Sequence, residues 1–119
     1  MGNDSNQFEL VEAIVRYAIS VVDPGWIEIV MNYSVDETQS DFLNSYLAGE
    51  GGRVVEKALA YSDGLEGLFT RLREHLAQLG GDLFSTCWIQ VSNDGRYQTK
   101  YGYEPVDWDA LTEVSSNFA

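Results

Sequence analysis

Hydrophobic residues recur at two different periods along this chain, and the changes of period divide it into elements. Over residues 6–22, Val11, Ile14, Val15, Ala18 and Val22 fall at helical spacing, while Glu9, Glu12 and Arg16 point away. Asp23-Pro24-Gly25 ends that helix, because proline cannot continue the hydrogen-bond ladder and glycine reaches the conformations that turn the chain. From Trp26 to Val35 the period drops to two. Ile27, Ile29, Met31, Tyr33 and Val35 share one face, and Trp26, Glu28, Val30 and Asn32 the other. A polar loop, Asp36-Glu37-Thr38-Gln39-Ser40-Asp41, leads to a second strand over residues 42–48. Gly49-Glu50-Gly51-Gly52 then reads as a turn into residues 53–61. There Val54 and Val55 favour a strand, whereas Glu56-Lys57-Ala58-Leu59-Ala60 suits a helix equally well. The glycine turn makes a hairpin the expectation.

The second helix is the clearest element. Leu65, Leu68, Phe69, Leu72, Leu76 and Leu79 form an apolar stripe, with Asp63 as the expected cap, Glu66 three residues later, and Gly80-Gly81 as the stop. Two strands follow, residues 86–92 and 96–103, joined by Asn93-Asp94-Gly95, whose residues tolerate the positive φ of a tight turn. Pro105 ends the sheet edge, and Asp107 caps an expected last helix carrying Trp108, Leu111 and Phe118. The order α-β-β-β-α-β-β-α, without repeat or linker, predicts a single α+β domain spanning residues 1–119. Its expected architecture is an antiparallel meander with helices packed mainly on one face. On the last hairpin Cys87, Ile89 and Val91 face one side, Trp88 and Gln90 the other. Trp26 and Trp88 are therefore both expected away from the apolar side, covered by the Trp108 helix or left as a binding surface. Cover is the expectation, since exposed indoles are costly without a partner.

Composition changes the picture at one point. A net charge of −12 over 119 residues, with apolar content at 45%, describes a folded but strongly acidic domain. Such a surface repels nucleic acid and anionic lipid and attracts cations and basic proteins. A lone cysteine, Cys87, excludes an internal disulfide and suits a reducing compartment. No positively charged, apolar leader opens the sequence and no run approaches a membrane span, so the cytosol is the expected location.

Candidate chemistry is sparse. His75 sits in the second helix beside the core position Leu76, where it reads as a solvent-flanking residue near Arg71 and Glu74. Cys87 lies mid-strand on the core face, a setting for a small buried hydrophobe and not for an activated thiol. One Cys and one His cannot build a zinc site within one chain. The acidic loop 36–41 lacks the central Gly and terminal Glu of a calcium loop, and Gly49-Glu50-Gly51-Gly52-Arg53 lacks the Lys-Ser/Thr of a phosphate loop. No catalytic residue, cofactor or metal is expected.

Three stretches carry a likeness to a known family: Trp26-Ile27-Glu28-Ile29 after the leading helix, the Leu-rich helix ending in Gly80-Gly81, and the closing hairpin. The hairpin runs Phe84, Trp88-Ile89-Gln90-Val91, Asn93-Asp94-Gly95-Arg96-Tyr97, then Lys100-Tyr101-Gly102-Tyr103-Glu104. This pattern resembles the YezG-type immunity proteins of bacterial polymorphic toxin systems. It departs from the family at Gly102, where an acidic residue is expected, and follows it loosely over residues 42–61. The resemblance implies a non-catalytic protein that binds a cognate toxin in the cytosol and neutralises it. Many such toxins are nucleases with basic clefts, which an acidic inhibitor engages in place of the phosphate backbone. The expected partner is thus a basic protein, with no nucleic acid or membrane. Expected contacts are one acidic cluster, Asp36, Glu37 and Asp41, then Glu50, and a second of Asp94 with Asp107 and Asp109. Tyr46, Tyr97 and Trp88 are the aromatic anchors wherever they are exposed. A generic acidic adaptor, or a small ligand-binding domain or enzyme, are the rival readings.

Overall fold

The computed structural model describes residues 3–60 and 62–108, with side chains from residue 7 onward. It is a two-layer α+β domain with a six-stranded antiparallel sheet. The elements are α1 (Asn3–Val21), β1 (Trp26–Val35), β2 (Ser40–Phe42), β3 (Ser45–Glu50), β4 (Arg53–Ala58), α2 (Asp63–Gln78), β5 (Thr86–Ser92) and β6 (Tyr97–Gly102). The strands lie in the order β4-β3-β1-β5-β6, with β2 also paired to β1. Residues 53–58 are a strand, as the glycine turn requires; Gly51 and Gly52 take φ of +58° and +81°, where a side chain would be strained. The expected last helix lies, beyond Trp108, outside the described residues.

One layer of core follows from the two periodicities. Val11, Ile14, Val15 and Ala18 of α1 and Leu65, Phe69 and Leu72 of α2 bury against Ile29, Met31, Tyr33, Cys87, Ile89 and Val91 of the sheet. Tyr33 stacks on Phe42 at 4.6 Å between ring centres, and Phe69 lies tilted against Tyr33 at 5.2 Å. Burying a side chain such as Phe69 stabilises the fold by about 1.5–3 kcal/mol. Arg73 locks the end of α2 to the sheet, its Nε donating to the Phe84 carbonyl at 2.6 Å.

Several expectations are corrected in detail. The cap of α2 is Ser62, one residue before Asp63. Its hydroxyl accepts from the Leu65 N–H at 3.3 Å and is hydrogen-bonded to Tyr17 of α1, so capping and helix pairing share one side chain. Glu66 accepts from Ser40 Oγ at 2.7 Å and ties α2 to β2.

The strand expected over residues 42–48 is longer and interrupted. β2 and β3 keep one register against β1, with Tyr33 opposite Phe42 and Val30 opposite Ser45. Between these two pairs the ladder breaks at Leu43-Asn44. Leu43 N–H still donates to the Asn32 carbonyl at 2.9 Å, but the Asn32 N–H donates to Asn44 Oδ1 at 3.0 Å. A side-chain amide has replaced a backbone acceptor, which leaves the Asn44 carbonyl for the Leu59 N–H of the chain leaving β4.

Trp26 is the remaining correction. The β1–β3 register shifts between Trp26 and Glu28, a bulge that places two residues of β1 against one step of β3. Trp26 therefore pairs with buried Ala48 and packs against the core, not on the outer face.

Candidate functional site

α1 and α2 cover the same face of the sheet, and strand parity defines the residues of the opposite one. Across β4-β3-β1-β5-β6 it carries Glu56, Leu47, Glu28 and Ser92 in one row, then Ala58, Ser45, Val30, Gln90 and Gln98, then Asn32, Trp88 and Lys100. Polar and apolar side chains are mixed along these rows. Gln90 Nε2 donates to Glu28 Oε2 at 2.7 Å, and the Lys100 ammonium stands over the Trp88 ring, 5.0 Å from its centre.

The interruption at Leu43-Asn44 opens this face. A recess of about 370 Å³ is lined by Val30, Asn32, Leu43, Asn44, Glu56 and Trp88, among others. A second opening of about 600 Å³ lies beside it between β2 and α2, lined by Asp41, Phe42, Leu59 and Glu66 among others, and shares Leu43, Asn44 and Ala58 with the first. Lys57 also borders the Trp88 recess, but its charge is engaged elsewhere. The ammonium pairs with Asp23 at 2.9 Å and with Glu50, and these two carboxylates push its pKa well above the ordinary lysine value. The negative Glu56 side chain is exposed at the rim, its Oε2 accepting from Ser45 Oγ at 3.4 Å.

Of the three expected aromatic anchors, only Trp88 is on this face. Tyr46 points the other way and is 6% exposed, because its partner across β1 is the core residue Ile29. Tyr97 pairs with Val91 on the helix-covered face and is half-buried; burial, then the Glu12 carboxylate, raise its phenol pKa.

The acidic residues group differently from the expectation. Asp36, Glu37 and Asp41 surround the β1–β2 turn, whereas Glu50 and Asp94 occupy hairpin tips at the opposite end of the sheet. Asp107 does not join Asp94. Its neighbour Trp108 donates from Nε1 to Asp36 Oδ2 at 2.7 Å, which places Asp107 with the first group. Asp109 lies outside the described residues.

Asp36 is a structural carboxylate. Oδ1 accepts from Thr38 N at 2.8 Å, Thr38 Oγ1 at 2.9 Å and Gln39 N at 3.0 Å, while Oδ2 holds Trp108. The Thr38 backbone bond, followed by the Trp108 indole, lowers its pKa to about 2. Glu50 is held by Lys57, and Asp94 accepts from the Arg96 N–H at 3.0 Å within its own turn. Glu37 and Asp41 are exposed.

Cys87 is fully buried between β1 and β6, and burial pushes its thiol up to about 12, the reverse of an activated nucleophile. Sequence reasoning missed Val30, Asn44, Glu56 and Lys100 as neighbours of Trp88. The signal for Glu56 was present: a hairpin centred on Gly51-Gly52 pairs it with Leu47 and fixes its face. No helix among the described residues is long and apolar enough to cross a membrane. No family model matches the chain, and no curated protein matches it.

Proposed function

We propose that this protein is a toxin-neutralising immunity protein, a stoichiometric binder that occupies a basic toxin domain. The supporting observation is the sheet face opposite α1 and α2. It combines one half-buried tryptophan, a recess with apolar lining and the exposed Glu56 carboxylate, within a chain of net charge −12. Aromatic anchors ringed by polar groups supply the binding energy of protein interfaces, and complementary charge speeds encounter. The likeness of the closing hairpin to the YezG-type family supports the same reading. An acidic adaptor for another class of protein would use the same face.

The experiment is a tagged pull-down from the native host, washed at low and then high salt. Expected is one basic polypeptide that is toxic when expressed alone and harmless when co-expressed with this chain. Its association rate should fall about tenfold or more between low salt and roughly 0.3 M, as steering is screened. Toxicity undiminished by co-expression overturns the reading.

A further inference from the structure

We infer that the recess beside Trp88 receives an arginine side chain projecting from the basic partner. This rests on the immunity reading and specifies where and how the toxin docks. Three observations converge. The recess has an apolar lining of Val30, Leu43 and Ala58, suited to the methylene stem of a long side chain. Its rim carries the exposed Glu56 carboxylate, placed to accept a two-pronged guanidinium. Its wall is an indole that already attracts a cation within this chain, since Lys100 stands over Trp88 from β6 while the recess opens toward β1, β3 and β4.

Arginine fits this combination better than lysine. The guanidinium is planar, stacks on aromatic faces and matches a carboxylate with two parallel N–H donors, whereas an ammonium is a compact, strongly hydrated charge. Asn32 and Asn44 do not compete for the role of anchor: the Asn44 amide oxygen is held by the Asn32 N–H, which keeps the notch open. Lys57, which lines the recess, has its charge held by Asp23 and Glu50. An anionic segment would meet Glu56 and the net charge of −12 and be repelled.

The test is a titration of the full chain with hexa-arginine and hexa-lysine peptides of equal charge, followed by two-dimensional ¹H–¹⁵N spectra. Expected is movement of the Trp88 indole N–H and of the Val30 and Ala58 amides, larger for hexa-arginine. Glu56→Gln should weaken that binding about tenfold, the scale of one charge-assisted hydrogen bond. Glu9→Gln, which removes the same charge from α1, should leave it within twofold. Shifts confined to the acidic hairpin tips, or equal losses from the two variants, overturn the site. The recovered toxin separates the two claims. Full affinity of the toxin for the Glu56→Gln variant discards the arginine site and keeps the immunity reading. Localised peptide shifts at Trp88, with toxicity undiminished by co-expression, discard the immunity reading alone.

Discussion

Asp36 accepts four hydrogen bonds on two oxygens, one of them from an indole 72 residues away in sequence. Its carboxylate closes the β1–β2 turn and fixes the segment after β6 to the far end of the sheet. The folded pKa of about 2 lies below the ordinary 3.8, so the ionised form is favoured by folding. Its contribution to stability is full above the unfolded value and disappears as pH falls through about 2. Asp36→Asn should therefore lower the urea midpoint at pH 7, and the gap from the parent chain should close between about pH 4 and 2. Trp108→Phe removes one of the same bonds, so combining it with Asp36→Asn should cost less than the sum of the two. Additive losses, or a gap that persists at pH 2, would show that the carboxylate does not hold this end of the sheet.

Among elements, the β5–β6 hairpin explains a residue that looked anomalous in the sequence. Gly102 pairs with Thr86, and a Cβ at position 102 would run into Thr86 Oγ1. Any side chain at 102 therefore requires the Thr86 hydroxyl to move. Gly102→Ala should cost about 1–3 kcal/mol of stability through overpacking. Thr86→Ala in the same chain should recover most of the loss, as read from urea denaturation of the two single variants and the double. The hairpin itself was legible because Asn93-Asp94-Gly95 permits few loops. Only Gly95 adopts positive φ, at 90°, completing a three-residue turn in which Ser92 N–H meets the Arg96 carbonyl at 2.8 Å. Both helices and the parity of β1 from Glu28 onward were equally legible, since an apolar stripe and a buried face each repeat over many residues. The break at Leu43-Asn44 was not. It depends on an amide reaching a backbone donor 12 residues earlier, and no periodicity records that. The candidate site inherits this limit, because its recess exists only where that break parts β2 from β3. Trp26 was misplaced for a related reason: one bulge residue reverses the face of everything before it.

At the scale of the whole molecule, nineteen acidic residues against seven basic ones leave the folded chain repelling itself. Among the described residues, pairs that offset this include Arg16 with Glu12 at 3.6 Å, Arg96 with Asp94 at 3.6 Å, and Lys57 between Asp23 and Glu50, all largely exposed on the acidic side or the basic one. Screening should thus help the fold more than it harms these bridges. The urea midpoint is expected to rise as sodium chloride goes from roughly 10 to 300 mM, within the range where the screening length drops below about 10 Å. A midpoint that falls would mean that the bridges dominate. The strand order has a separate consequence, for how the chain comes to be folded. β1 finds β2 and β3, and β3 finds β4, within the first 58 residues, yet the longest seam of β1 is with β5, which begins at Thr86. Until that strand has left the ribosome, the growing chain carries a half-sheet with one edge of β1 open and Ile29, Met31 and Tyr33 lacking their neighbours from β5. Closing the domain is then a long-range event, slow by the standard of its local hairpins, and the interval before it is when the nascent protein most needs shielding from its own copies.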